Sequence, residues 1–177
     1  GAHQVTVEEV DLPKAKLPNS LVGTRFAQIS DLHVGSHFGA NALWPIIETI
    51  NSLQPEFVMI TGDFVNDERG YVRELLDPLM KLDAPAYGIL GNHDAWEQHW
   101  HVERVLREAS VELLWNRSLE VKPHLWLMGL DDALLGRPNL RRALADTQLN
   151  ETKLMMVHEP DYFVKTVHTQ APVAVQF

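Results

Sequence analysis

The chain of 177 residues predicts an α/β fold built on a parallel sheet. Short apolar runs with β-type composition end abruptly in polar residues at four places, and segments with helical spacing separate the first three of these runs. The hydrophobic content of 45% is enough to form one buried core in a chain of this length. Because the carboxyl ends of parallel strands share one edge of a sheet, the polar residues are expected to meet there.

The first half of the chain alternates between strands and helices. Residues 1–24 are predicted to form an N-terminal strand, at residues 5–7, and a loop, and a second strand follows at 25–29. Asn41 is a suitable N-cap for a helix that ends before Pro55. The pattern then predicts a strand at 57–61, a helix at 71–82 and a strand at 86–90. A β-α-β-α-β order indicates a parallel sheet with right-handed crossovers.

The second half predicts a different arrangement, because its strands are short and closely spaced. A helix at 95–109 is followed by strands at 112–114, 118–121 and 125–130, which suggests hairpins and a mixed or antiparallel sheet. Pro138 is placed near the start of a short helix. A strand at 153–157, a helix at 160–168 and a strand at 173–175 complete the pattern. Without internal repeats or linkers, residues 1–177 are expected to form a single domain.

Composition excludes several classes of function. The net charge of -9 and the pI near 5.4 argue against a basic groove, so specific nucleic-acid binding is not expected. The absence of cysteine excludes disulfides, thiol catalysis and thiolate metal sites. No apolar run approaches the roughly 20 residues that a membrane span requires, and no secretory signal opens the chain. The compartment stays open: cytoplasmic, or membrane-associated or exported if a leader preceded Gly1.

The first two strand ends carry carboxylates and an imidazole. If residues 31–33 are extended, Asp31 and His33 project to the same side and can bind one ion together. Asp63 follows Gly62, which permits an unusual backbone angle, and a carboxylate can bridge two cations. Each motif taken alone is more often a turn or a helix cap.

The other two strand ends add an amide, two imidazoles and a carboxylate. Asn92 offers a carbonyl oxygen to a metal, His93 offers a proton, and Asp94 can orient the His93 ring. The alternative is an Asx-type turn in which Asp94 caps the following helix. His158 taken alone could be a core residue. Four strand ends with metal-competent residues together favour a metal site, and oxygen and imidazole donors suit Mn, Fe, Zn or Mg.

The order Asp-x-His, Gly-Asp, Gly-Asn-His-Asp and a later His resembles the calcineurin-like metallophosphoesterases over residues 25–177. The pattern of residues 17–33 is most similar to the bacterial YkuE/YaeI-like phosphodiesterase branch. The resemblance implies a four-layer αββα sandwich with mixed sheets and a centre of two divalent metal ions. It assigns Asp31 and His33 to one cation, Asn92 and His158 to the other, and Asp63 to both. His93 would contact the phosphate or protonate the leaving group, and Asp94 would orient it.

The implied activity is hydrolysis of phosphodiester, phosphomonoester or pyrophosphate bonds by attack of a hydroxide that bridges the cations. One alternative is a pyrophosphatase of nucleotide-linked glycolipids. Another is a non-catalytic scaffold, because the family's Gly-His-x-His segment does not occur in these 177 residues. In the family this segment directly follows the strand that residues 173–177 resemble. The resemblance therefore predicts a domain that is truncated, and incomplete, at its C-terminus.

The remaining predictions concern the substrate and its surroundings. His37 lies in the loop after Asp-x-His and would either reach the substrate or remain a solvated loop residue. The expected substrate is a small phosphate ester or a lipid-like one. Association with a membrane surface is left open, and the sequence does not predict the oligomeric state.

Overall fold

Two four-stranded sheets packed face to face form the centre of the molecule. The structure is a computed structural model and describes residues 5–12, 17–66, 70–95, 99–162 and 175–176. Helices pack against the outer face of each sheet, which produces four layers in the order αββα. The predicted fold class is therefore confirmed.

The first sheet is wholly parallel, with its strands in sequence order. Three of its strands were predicted as parallel. The fourth was expected among the hairpins of the second half, and this prediction is wrong, because the helix before it crosses over and returns the chain to the same sheet. The strands are β1 (Phe26–Ile29), β2 (Phe57–Thr61), β3 (Ala86–Ile89) and β4 (Val111–Leu113).

The helices of the first half cover the outer face of this sheet. They are α1 (Ala40–Leu53), α2 (Leu76–Leu79), α3 (Asn92–Ala95) and α4 (His99–Glu108). The N-cap of α1 is Gly39 rather than Asn41, and the Ala40 N–H donates to Glu74 Oε2 at 2.8 Å. The helix predicted at 71–82 is shorter, because a 3₁₀ turn (Val72–Leu75) precedes α2 and Pro78 has no N–H to donate.

The second sheet is mixed, as predicted for this half of the chain. Its first two strands form an antiparallel hairpin and the others add in parallel. The strands are β5 (Arg117–Lys122), β6 (Leu125–Gly129), β7 (Thr152–Met156) and β8 (Val175–Gln176). Helix α5 (Leu140–Leu144) packs on its outer face. Most of the helix predicted at 160–168 lies outside the described residues.

The core between the sheets is apolar and tightly packed. Met59 and Ile89 of the first sheet meet Leu127 and Met156 of the second. At Gly129 a Cβ atom would lie 2.8 Å from Ile89 Cγ2, so only glycine allows the sheets to approach this closely.

The predicted N-terminal strand is absent, since none of the described residues 5–12 lies in a strand. Of its two valines Val5 is half-buried, whereas Val7 is 44% exposed, so the predicted strand does not present a buried face. No helix in the part of the chain that the structure describes is long and apolar enough to cross a membrane.

Candidate metal centre

The loops that follow β1 and β2 run side by side beyond the ends of the strands. The Asp31 N–H donates to the Gly62 carbonyl at 3.1 Å, and the His33 N–H donates to the Asp63 carbonyl at 2.9 Å. The Val34 N–H continues this pattern to the Phe64 carbonyl at 3.0 Å. Main-chain hydrogen bonds therefore hold Asp31 and His33 next to Asp63, although about 30 residues separate them in sequence.

The backbone at these positions is left-handed. Asp31, His33 and Asp63 have φ angles of 54°, 43° and 53°, and Gly62 has a φ of 95°. Non-glycine residues in this region are strained and cluster at functional sites. The assumption that residues 31–33 are extended is wrong, because two of them turn into the left-handed region to face the same carboxylate.

Carboxylate and imidazole donors converge on Asp63. Its Oδ2 atom lies 3.5 Å from His33 Nε2 and 3.3 Å from His158 Nε2, and His33 Nε2 lies 3.6 Å from Asp31 Oδ1. Donors that share one cation at bond lengths near 2.1 Å are separated by roughly 3 to 3.5 Å. The donor atoms of Asp31, Asp63 and His158 all lie within 4.8 Å of one another, as do those of His33, Asp63 and His93. The described residues thus fit a metal centre with Asp63 common to both groups.

His158 is oriented by a carbonyl that the sequence did not single out. Its Nδ1 lies 2.8 Å from the Thr61 carbonyl oxygen, which can only accept, so Nδ1 carries the proton. The Nε2 atom faces Asp63 and is the nitrogen that would bind a metal after losing its proton. The hydrogen bond to Asp63 raises the pKa of His158 to about 9, against the opposing effect of burial and with the help of the Thr61 carbonyl.

Asp63 is only 3% exposed, and its second oxygen is also used. Oδ1 accepts the His93 N–H at 3.0 Å. Burial by itself would raise the pKa of Asp63, but the hydrogen bonds from His158 and from the His93 backbone, with the positive charges of both rings, hold it below its ordinary value. The carboxylate is therefore ionised at neutral pH, as a metal ligand requires.

The segment after β3 is a short helix whose second residue faces the centre. Asn92 is the half-buried first residue of α3. The His93 ring packs edge-on against the His33 ring, with centroids 4.8 Å apart and an interplanar angle of 87°. The structure thus brings His93 close to the two predicted ligands His33 and Asp63, at the sheet edge where the polar residues were expected to meet. The roles predicted for Asn92 and His93 stay predictions.

Asp94 is 1% exposed and accepts hydrogen bonds from the backbone. Oδ2 accepts the Gly91 N–H at 3.0 Å, as in half of a capping box, and Oδ1 accepts the Val65 N–H at 3.2 Å. Burial raises the pKa of Asp94 to about 7, although these N–H groups oppose the shift. The capping alternative therefore describes these contacts, and the orienting of His93 stays a prediction.

Two glycines let the backbone approach the centre. A Cβ atom on Gly62 would lie 2.8 Å from His158 Nδ1, and one on Gly91 would lie 2.7 Å from Asp63 N and 2.9 Å from Asp63 Cγ. Real Cβ atoms essentially never come within 3.0 Å of a neighbour. The sequence indicated a conformational reason for Gly62, and the structure adds a steric reason for both glycines.

Glu159 links the loops that follow β6 and β7, a connection that sequence reasoning missed. Its Oε2 accepts the Ala133 N–H at 2.8 Å. Burial raises the pKa of Glu159, and the negative charge of the neighbouring Asp132 raises it further. Asp132 is itself only 1% exposed.

His37 lies on the exposed surface of the loop after β1. Its Nδ1 is 2.9 Å from Ser36 Oγ, so its nearest described partner is its neighbour in sequence. A role in substrate binding stays a prediction.

The geometry of the candidate centre agrees with the protein family that the sequence matches. The model of the calcineurin-like phosphoesterases matches residues 24–165, which is most of the chain. The chain belongs to this family. Membership supports a metal-dependent phosphoesterase function, and the predicted resemblance is confirmed at this level.

Relatives of known name show how far the similarity extends. The metallophosphoesterase YkuE of Bacillus subtilis (strain 168) is 29% identical over 184 residues, which cover 98% of this chain and 63% of the relative. A transmembrane protein with metallophosphoesterase domain from Danio rerio is 30% identical over 172 residues, covering 87% of this chain and 39% of that protein. The chain therefore spans less than two thirds of the length of either relative.

A solved structure supports the fold alone. The NAD nucleotidase of Haemophilus influenzae superimposes with a TM-score of 0.55 at 12% sequence identity, over 78% of this chain and 34% of that one. At this identity the likeness concerns the architecture and carries no information on substrate.

Proposed function

We propose that this chain is a metal-dependent phosphohydrolase whose centre holds two divalent cations around Asp63. The observation that carries the proposal is the position of one carboxylate oxygen, Asp63 Oδ2, within 3.5 Å of an imidazole nitrogen from each of two distant loops. Two carboxylates, one of them the buried Asp63, and two imidazoles are a suitable set of donors for Mn, Fe, Zn or Mg.

The assignment of ligands follows the resemblance. Asp31 and His33 hold one cation, Asn92 and His158 hold the other, and Asp63 contributes to both. The measured distances are also compatible with a different division, in which Asp31 shares a cation with His158 and His93 joins His33. Both divisions make Asp63 the common ligand, so Asp63 is the residue that the test addresses first.

The residues of the chain have separate tasks in this proposal. Bound cations would supply charge neutralisation for the phosphate oxygens and a lowered pKa for water. The Thr61 carbonyl accepts a hydrogen bond from Nδ1 of His158 and so aims Nε2 at the centre. His93, beside His33, donates a proton to the leaving group. Asp94 holds the loop that carries His93, through the Gly91 and Val65 N–H groups.

The experiment uses metal-stripped protein titrated with Mn²⁺ and assayed for hydrolysis of bis(p-nitrophenyl) phosphate. A p-nitrophenyl monoester and a nucleotide-sugar pyrophosphate complete the panel of substrates. The test variants are D63N and H33N. Asparagine tolerates a positive φ, so these changes remove the charge of Asp63 and the imidazole of His33 without adding backbone strain. The matched control is H124N, because His124 has a φ of 68° and lies in the exposed turn between β5 and β6.

Metal-dependent turnover is expected in the wild type and in H124N, with at least a hundredfold loss in D63N and H33N. Turnover that persists at the wild-type rate in D63N would refute the proposed centre. Stoichiometric Mn²⁺ binding without turnover of any ester would favour the non-catalytic scaffold instead. The relative rates on the three substrates would separate a phosphodiesterase from a pyrophosphatase.

A further inference from the structure

Two adjacent leucines are exposed in the loop that joins β6 to α5. Leu134 and Leu135 are 69% and 50% exposed, although large apolar side chains are usually withdrawn from water. Residues 131–139, which contain them, are called the Leu134 loop below. Trp115, at the end of the neighbouring strand β4, is 43% exposed and lines the same crevice as Asp131.

The Leu134 loop is held by buried polar side chains, which fix its leucines on the outside. Asp132 Oδ1 accepts both the Leu134 and the Leu135 N–H, and Asp131 Oδ2 accepts the Arg137 N–H. Asn116, which is 7% exposed, accepts the Asp131 and Asn139 N–H groups and donates to the Arg137 carbonyl. A loop pinned by this many backbone hydrogen bonds presents the leucines in one defined arrangement.

Positive charge accompanies the leucines. Residues 133–145 contain three arginines and no acidic residue, in a chain whose net charge is -9. Arg137, Arg141 and Arg142 are all exposed. The two acids of the loop, Asp131 and Asp132, turn towards backbone N–H groups rather than towards the arginines. The exposed surface formed by the loop and the adjoining helix α5, which carries Arg141 and Arg142, is therefore apolar and basic.

We propose that the Leu134 loop docks this protein onto an anionic membrane surface. Leu134 and Leu135 would enter the boundary between headgroups and acyl chains, while the three arginines would bind the anionic headgroups. A second copy of this chain fits less well, because a two-fold contact through the loop would bring the arginines of both copies together.

The docked orientation would direct the metal centre towards the membrane. The Ala133 N–H in the loop donates to Glu159, the residue next to His158, at 2.8 Å. Insofar as the proposed function holds, the loop would bring the centre to phosphate esters at the lipid surface. Membrane docking itself needs no catalysis, so the two proposals are tested separately.

The experiment measures binding of the full chain to vesicles of phosphatidylcholine with 30% phosphatidylglycerol, and to vesicles of phosphatidylcholine alone. The variants are L134S/L135S and R137Q/R141Q/R142Q. The matched control is L149S, since Leu149 is 81% exposed in the turn before β7, at the opposite end of that strand. Hydrolysis of a soluble ester is measured in parallel and reports on the proposed function alone.

Wild type and L149S are expected to bind the anionic vesicles, with binding that falls as salt rises. The arginine variant should lose about a hundredfold in binding, from roughly fivefold per cation at an anionic surface. The leucine variant should lose tenfold or more. Equal binding of the leucine variant and wild type, or no preference for anionic vesicles, would overturn the proposal. So would a dimer in sedimentation velocity that the leucine variant dissociates, since a second copy would then cover the loop.

Discussion

Replacement of Gly91 by alanine tests whether close contact between two loops sets the position of Asp63. The added Cβ would lie 2.7 Å from Asp63 N and 2.9 Å from Asp63 Cγ, and it would overlap Oδ1. Gly91 is not among the glycines with a positive φ, so alanine suits the backbone and the effect is steric. Relief of the overlap requires Asp63 or the Gly91 loop to move by about half an ångström or more, since carbon atoms in contact are separated by roughly 3.5 Å.

The magnitude follows from what Asp63 contacts. Its Oδ2 is the atom on which His33 and His158 converge, so a displaced carboxylate weakens every cation held there. Loss of a supporting contact around a metal site typically lowers affinity about 10 to 100-fold. Overpacking of this kind also costs about 1 to 3 kcal/mol of folding free energy. G91A should therefore lose both Mn²⁺ affinity and stability.

Isothermal titration of metal-free protein with Mn²⁺ measures the affinity, and urea unfolding of the same protein measures the stability. The control is G23A, because Gly23 has a φ of 88° and open space around its Cβ position. G23A should lose stability through backbone strain but keep its affinity for Mn²⁺. An affinity of G91A within twofold of the wild type would refute the steric argument.

Two further predictions concern buried ionisable groups that are not candidate metal ligands. D94A leaves the Val65 and Gly91 N–H groups without their acceptor, so the free energy of unfolding measured in urea should fall by about 2 kcal/mol or more. The control is D146A, because Asp146 is exposed. A decrease below about 1 kcal/mol in D94A, near that of the control, would contradict the prediction. Lys153 is 1% exposed, and burial lowers its pKa below 10.5 in the folded protein. Between this pKa and 10.5 the unfolded chain therefore binds more protons than the folded one. The free energy of unfolding of the wild type should rise relative to that of K153M as pH increases through this range. Curves of unfolding free energy against pH that stay parallel for the two proteins would disprove the shift.

Much of the fold was predictable because it depends on short-range patterns. The apolar runs that became β1, β2, β3 and β7 are bounded by polar or glycine residues, and alternation with helical segments favours parallel pairing. The prediction of an N-terminal strand was wrong because it too depended only on a short-range pattern. The alternation of its valines was real, but no core lay next to them. A pattern shows which face can be buried and not whether a partner exists.

The sequence predicted the residues of the candidate centre but not their backbone conformation. Asp31, His33, Asp63 and His158 were found because each ends an apolar run, and the ends of parallel strands share an edge. The left-handed backbone of Asp31, His33 and Asp63, by contrast, accompanies hydrogen bonds between two loops about 30 residues apart. The residues around each position do not indicate which distant loop will be its hydrogen-bond partner.

The sequence by itself determined the kinds of donor atoms, the strand ends that carry them and the family to which they belong. Only the tertiary structure decided that His93 packs on His33, that Asp94 caps its own helix, and that the Thr61 carbonyl sets the tautomer of His158. The His93–His33 contact joins segments that follow two strands of the first sheet, and the His158–Thr61 hydrogen bond joins the second sheet to the first. The hydrogen bond forms only when the two sheets have packed, because burial between them brings His158 within reach of the end of β2.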